Sequence, residues 1–205
     1  HQAVGSDVVV GVTTHRQLVI WRYNPAGAFR VLNGHRDWVE AMCVVHRAED
    51  GGMPQVWSAG SDGLILRWQP NSELNTDLYT NQEELSGHEG AILCLIYSAE
   101  LDALVTGSED TSIRIWPLGA PPSKEVGEGG GVDEPDMNIL FGHESRVTGL
   151  ACSGEHVLAS VSHDLSLRFW DLHTRTELEA VERAHDTPIQ CLEFSPEREE
   201  LATAA

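Results

Sequence analysis

Gly142-His143, followed by Ser160-Val161-Ser162-His163-Asp164-Leu165-Ser166-Leu167-Arg168-Phe169-Trp170, is the stretch on which the reading of this chain turns. A hydroxyl residue is followed four places later by Asp, and six after that by Trp. The same spacing recurs at Ser58/Asp62/Trp68 and at Thr106/Asp110/Trp116, preceded by Gly34-His35 and Gly87-His88. A signature repeated at fixed internal spacing marks a repeat architecture. Ser/Thr-x-x-x-Asp places a tight turn after one strand, and the run from Asp to Trp is long enough for a second strand ending in an aromatic. The His arrives from the preceding connection. Together the four can form a buried polar chain. Asp accepts from the His ring, His meets the hydroxyl, and the hydroxyl accepts from the indole N–H, so each member has a partner.

Gly-His, Ser/Thr-x-x-x-Asp and a Trp closing the strand resemble the WD40 repeat of β-propellers, over nearly the whole chain. The closing dipeptide is looser. Trp170-Asp171 matches, whereas Trp68-Gln69, Trp116-Pro117 and Trp21-Arg22 keep only the Trp. The resemblance implies an all-β, WD40-like propeller of four-stranded antiparallel blades, an incomplete portion of a larger, seven-bladed ring. On that frame 1–33 is a partial first blade, 34–86, 87–141 and 142–183 are blades, and 184–205 is a partial last one. The first has strands at 7–13, 17–23 and 28–33, but His15 and Gly11 stand where the turn Asp and the hydroxyl belong. The last opens at Ala184-His185, with strands at 188–194 and 200–204 and Thr203 as its hydroxyl. The alternative is a small ring in which the C-terminal strand completes the N-terminal blade.

The chain has 205 residues and sets 13 Lys and Arg against 32 Asp and Glu, a net charge of −19. Such a surface repels phosphate backbones, which argues against nucleic acid and anionic membranes as partners and favours basic protein segments or simple solubility. No apolar run is long enough to span a bilayer, and no basic region precedes the N-terminal apolar run, so neither a membrane segment nor a signal peptide is expected. An intracellular protein is implied, cytoplasmic by default, with cytoskeletal, ciliary or nuclear settings open. Cys43, Cys94, Cys152 and Cys191 each follow a Gly-His or Ala-His pair and read as small buried apolar residues of equivalent strands. No Cys/His ligand spacing occurs, so neither metal nor cofactor is expected and the thiols should be reduced.

Trp68, Trp116 and Trp170 stand 48 and 54 residues apart, against about 40–45 for this repeat. The extra residues lie at 46–54, 69–81 and 117–136. The last is Pro/Gly-rich and acidic, the composition of a loop without a packed core. In a blade the first-to-second and third-to-fourth strand connections share a face. The insertions therefore crowd one face and leave tight loops on the other.

Those tight loops carry the candidate partner-binding residues: Arg36, Asp37, Trp38, Ser61, Glu89, Glu109, Arg146, His163 and Asp186. The resemblance implies that they gather at the channel mouth, where propellers of this kind hold peptides. Trp38 is the best anchor, since an exposed aromatic is a common interface hot spot; its alternative role is packing against a neighbouring blade. Asp37, Glu109 and Asp186 would favour a basic ligand. The tetrads His35/Ser58/Asp62/Trp68, His88/Thr106/Asp110/Trp116 and His143/Ser160/Asp164/Trp170 read as structural. Each imitates a Ser/His/Asp catalytic set, but a nucleophile needs an exposed hydroxyl and an oxyanion pocket. A hydroxyl tied to an indole has neither, and an enzyme does not need three copies. A propeller hydrolase would require a titratable group outside the tetrads, and only His163 qualifies. The Gly-rich run 127–131 lacks the Gly-Lys-Ser/Thr ending of a phosphate cradle. Trp170-Asp171-Leu172-His173 lacks the Arg that marks receptors of cullin ubiquitin ligases. The expectation is a non-enzymatic scaffold, a subunit of a multiprotein complex that binds peptides or proteins. Its alternative is a rigid block within a large assembly, contacted on its blade sides and acidic insertions.

Overall fold

Runs rich in Val, Ile and Leu, such as Val8–Val12 and Leu64–Pro70, are bounded by Gly, Asp and Ser, and each becomes a short strand. A computed structural model of the chain describes residues 2–3, 8–13, 16–23, 26–47, 54–70, 79–119, 138–153 and 156–205. Among them every regular element is a strand, and no helix is long and apolar enough to cross a membrane. The expectations for His15 and for the insertions at 48–53, 71–78 and 120–137 lie outside the described residues. The fold falls into two compact units, His1–Leu95 and Ile96–Ala205.

In the first unit, β1 (Gln2–Ala3), β2 (Val8–Val12), β3 (Gln17–Tyr23) and β4 (Ala26–Asn33) form an antiparallel sheet in chain order. β1 goes beyond the sequence reading. It pairs Gln2 with Val10 and Ala3 with Val9, and two residues are too few to show an alternating pattern. The second sheet holds β5 (Val39–Val45), β6 (Gln55–Gly60), β7 (Leu64–Pro70) and β8 (Tyr79–Ser86), again in chain order. β6 is buried at every position, as a strand covered on both faces must be. Val10, Leu18 and Leu32 of the first sheet share one core with Val39, Val56, Leu66 and Trp68 of the second. Apolar burial, worth about 25 cal/mol per Å², joins these two sheets.

The third sheet has the order β12-β11-β10-β9, from β9 (Ile92–Ser98), β10 (Ala103–Ser108), β11 (Ile113–Pro117) and β12 (Ile139–Leu140). The fourth, within the second unit, comprises β13 (Val147–Cys152), β14 (Val157–Ser162), β15 (Leu167–Asp171) and β16 (Thr176–Val181). A fifth sheet contains only β17 (Cys191–Ser195) and β18 (Glu200–Ala204). β17 starts three residues later than expected, although Gln190 N already donates to Ala204 O at 2.8 Å. Ala151, Ala159 and Val161 pack with Ile189 and Leu192 to join the fourth and fifth sheets. These four-stranded antiparallel sheets are propeller blades, the all-β class the sequence implies.

The four cysteines do stand in equivalent strands, β5, β9, β13 and β17, and none forms a disulfide. Their burial departs from expectation: Cys43 is buried, Cys94 and Cys152 are half-buried, and Cys191 is exposed on the two-stranded sheet. Burial pushes the Cys43 thiol up to about 12. Cys152 rises to about 11, through burial first and the charge of Glu100 second.

Candidate interaction surface

The site is built on the turn that links the second and third strands of each sheet. In the second sheet, His35 Nδ1 lies 3.0 Å from both oxygens of Asp62, and Nε2 lies 2.8 Å from Ser58 Oγ. Trp68 Nε1 donates to that same hydroxyl at 2.8 Å. The fourth sheet repeats the arrangement. His143 meets Asp164 Oδ2 at 2.9 Å and Ser160 Oγ at 2.7 Å, and Trp170 Nε1 donates to Ser160 at 2.8 Å. A ring nitrogen facing a carboxylate carries the proton, so Nε2 accepts from the Ser hydroxyl, whose lone pair takes the indole N–H. The proton and a lone pair of Ser160 are thus engaged, and the residue is fully buried. Burial lowers the His143 pKa below its ordinary value despite the opposing pull of Asp164, so the ring is neutral at pH 7.

Trp116 donates to Thr106 Oγ1 at 2.9 Å in the third sheet, and His88, in the other compact unit, is buried. In the fifth sheet His185 Nε2 lies 2.7 Å from Thr203 Oγ1. The Gly before His35 and the Gly before His143 have their own reason. A Cβ on Gly34 would sit 2.7 Å from the Trp68 ring, and one on Gly142 would sit 2.9 Å from the Trp170 ring. The indole therefore occupies the place a side chain would need.

The turn Asp does more than face the His. Asp164 Oδ1 accepts from Ser166 N at 2.9 Å and Ser166 Oγ at 2.6 Å, and Oδ2 accepts from Glu144 N at 2.9 Å. Burial alone would raise its pKa, but these bonds and the one from His143 hold it down at about 2. Asp110 is served likewise by Ser112 N at 2.9 Å and Ser112 Oγ at 2.6 Å. The residue after each Asp is left-handed: Gly63 and Thr111 have φ of 72° and Leu165 of 73°.

These rigid turns present the tight loops. In the first unit Ser61 N donates to Trp38 O at 2.8 Å, and Trp38 N donates to Asp37 Oδ1 at 2.9 Å. The Trp38 side chain remains 56% exposed. A register shift between Val39 and Ala41 marks a bulge at Glu40, which accepts from Ser61 Oγ at 2.7 Å. Arg36 is exposed, but its amide donates to Asp62 Oδ2 at 2.7 Å, and Glu89 is exposed on the next loop.

In the second unit, Arg146 Nη1 pairs with Glu109 Oε1 at 3.3 Å, His163 N donates to Arg146 O at 3.1 Å, and Gln190 Nε2 lies 3.1 Å from His163 Nε2. Glu109, Arg146 and His163 are thus brought together. Asp186 is not among them: its side chain is 95% exposed and lies 3.7 Å from Arg183.

A family model for the WD domain, G-beta repeat, matches residues 79–117 and 136–171. Ribosome biogenesis protein YTM1 of Eremothecium gossypii is 28% identical over 137 residues, 66% of this chain and 27% of that protein. Nuclear distribution protein PAC1 of Arthroderma otae is 26% identical over 209 residues, 93% of this chain and 41% of that protein. Protein HIR1 of Chaetomium globosum is 27% identical over 171 residues, 78% of this chain and 16% of that protein. The chain is similar to the WD40-repeat family over residues 79–117 and 136–171. It spans well under half the length of these relatives.

Three features of these blades escape a reading of the sequence alone. One is the pair of Ser residues flanking the turn Asp, at 108 and 112 and again at 162 and 166. The Ser-x-Asp-x-Ser pattern is their signal in the sequence. Another is Gln190, brought to His163 from a separate blade without any local motif. The third is the neutralisation of Glu109 by Arg146, which makes Glu109 a poorer magnet for a basic ligand than its charge alone suggests.

Proposed function

We propose that this WD40 chain is a non-enzymatic protein-interaction scaffold, a subunit of a multiprotein complex, binding a protein or peptide partner on its tight-loop face. The observation that carries this is Trp38, an aromatic held into solvent on a backbone fixed by hydrogen bonds at its own amide and carbonyl. A pre-organised, exposed indole loses little entropy on binding and gains a large contact area. The relatives named for ribosome biogenesis and nuclear distribution support a role in assemblies rather than in catalysis. With a net charge of −19 the partner is a protein with basic segments rather than nucleic acid or an anionic membrane, and the setting is intracellular.

The test is affinity capture with the full-length protein beside a Trp38→Ala variant shown to be folded. Loss of specific partners with the variant supports recognition through this loop. Retention of the same partners overturns it in favour of a rigid block contacted along its blade sides. Retention would also remove the reason for assigning the loops a binding role.

A further inference from the structure

On the turns at the opposite ends of the second-unit strands, three side chains converge that the WD40 framework does not use. Glu100 lies between β9 and β10, His156 between β13 and β14, and His173 between β15 and β16. One ligand atom from each lies within 4.8 Å of the others. Glu100 Oε1 sits against His156 Nδ1 and lies 3.8 Å from His173 Nε2. The two imidazole rings are in contact, centroids 4.1 Å apart and tilted by 50°. Two imidazoles beside a carboxylate form a donor set that a borderline-soft cation takes.

The backbone supports this aim. His156 has φ of 58°, the left-handed turn position that Asp102 and Glu199 also take before β10 and β18. Its N–H donates to Glu100 Oε2 at 3.2 Å, anchoring the second carboxylate oxygen, and its carbonyl accepts from Leu172 N at 2.8 Å. His173 N donates to Asp171 Oδ1 at 2.8 Å. The first of these bonds orients the Glu100 carboxylate, and the other two fix the turns that carry the imidazoles.

We infer that Glu100, His156 and His173 form a surface site for one divalent transition-metal ion of the Zn²⁺ class, clipping the β9–β10 turn to the two turns of the next blade. Zinc bonds of about 2.0–2.2 Å require the three donor atoms to stand about 3.3 Å apart. Glu100 and His156 must open slightly and His173 must close, movements open to side chains that are 38–51% exposed. Two nitrogens among three donors select against Mg²⁺ and Ca²⁺, and the fourth tetrahedral position is left to water. Local Cys/His spacing gives no sign of such a site, because its ligands come from three turns far apart along the chain.

Calorimetric titration of the full chain with ZnCl₂ near neutral pH tests the assignment, with Co²⁺ as a spectroscopic substitute. The expected result is one ion per chain and a melting temperature raised by the metal. Affinity should fall at least about tenfold in His156→Ala, His173→Ala and Glu100→Gln. Cys191→Ser, which removes the exposed thiol, should bind as wild type does. Because the three ligands are surface residues, each variant can be verified as folded by its tryptophan fluorescence. Absence of stoichiometric zinc, or zinc binding unchanged in the double His variant, overturns the assignment. A cobalt spectrum with thiolate charge-transfer bands does the same, by placing the metal on a cysteine.

Discussion

Asp164 receives hydrogen bonds from His143, Glu144 N, and both Ser166 N and Oγ. Asp164→Ala leaves a buried imidazole and two amides without their acceptor, at about 1–3 kcal/mol per stranded group. The expected loss is a few kcal/mol by denaturant titration, and wild-type stability would show the network unformed. The same residues set a pH dependence. Asp164 lies at about 2 when folded against 3.8 ordinarily. Its contribution, about 2 kcal/mol, is therefore complete above pH 4 and disappears as pH falls through 2. His143 is also lowered when folded. The unfolded chain then binds the proton first, and stability declines as pH drops below about 6.5. Unfolding free energies should fall in both windows, and Asp164→Ala should flatten the more acidic one. A profile level between pH 7 and pH 5 would rule out a buried neutral His143. At Gly142 the nearby Trp170 ring makes Gly142→Ala an overpacking change. It should cost about 1–3 kcal/mol, read as a lower denaturant midpoint.

At the scale of the element, the turn after each second strand is one device made from three sequences. Gly63, Thr111 and Leu165 share the left-handed position. Only Gly takes it without a steric penalty, and a β-branched Thr pays most. Thr111→Gly should therefore raise stability by roughly 0.5–1 kcal/mol, the relieved strain exceeding the added unfolded-state entropy. A fall in melting temperature instead would mean that the Thr111 side chain holds the turn. The tetrads of the second and fourth sheets were legible because His, Ser, Asp and Trp keep fixed intervals, which a buried polar chain requires. The Ser pairs were not, because a Ser beside Asp has many surface roles until the turn folds its hydroxyl onto the carboxylate. β1 was illegible because two residues have no period. β16 carries a bulge at Leu178 flanked by Glu177 and Glu179. A bulge and like charges on an outer strand block edge-to-edge pairing, a purpose visible only once the register is known.

At the scale of the molecule charge dominates, and it separates two accounts of binding. A net charge of −19 attracts basic partners over a Debye length, about 8 Å at physiological salt and about 3 Å at 1 M. The fold was readable from local spacing, but electrostatic pairing across the loops was not. The Arg146–Glu109 pair is surface-exposed on both sides and so worth at most about 1 kcal/mol, yet it cancels two charges that looked available. On the proposed function, steering would then come from the remaining acids and orientation from Trp38. Long-range attraction governs encounter, and close contact governs departure. For a lysine-rich peptide binding the full chain, raising salt should slow association at least about tenfold and leave dissociation nearly unchanged. Trp38→Ala should do the reverse, speeding dissociation at constant association rate. Surface plasmon resonance across a salt series measures both rates at once. Binding that ignores salt but still depends on Trp38 would assign the acidic surface to solubility alone and the recognition to apolar contact.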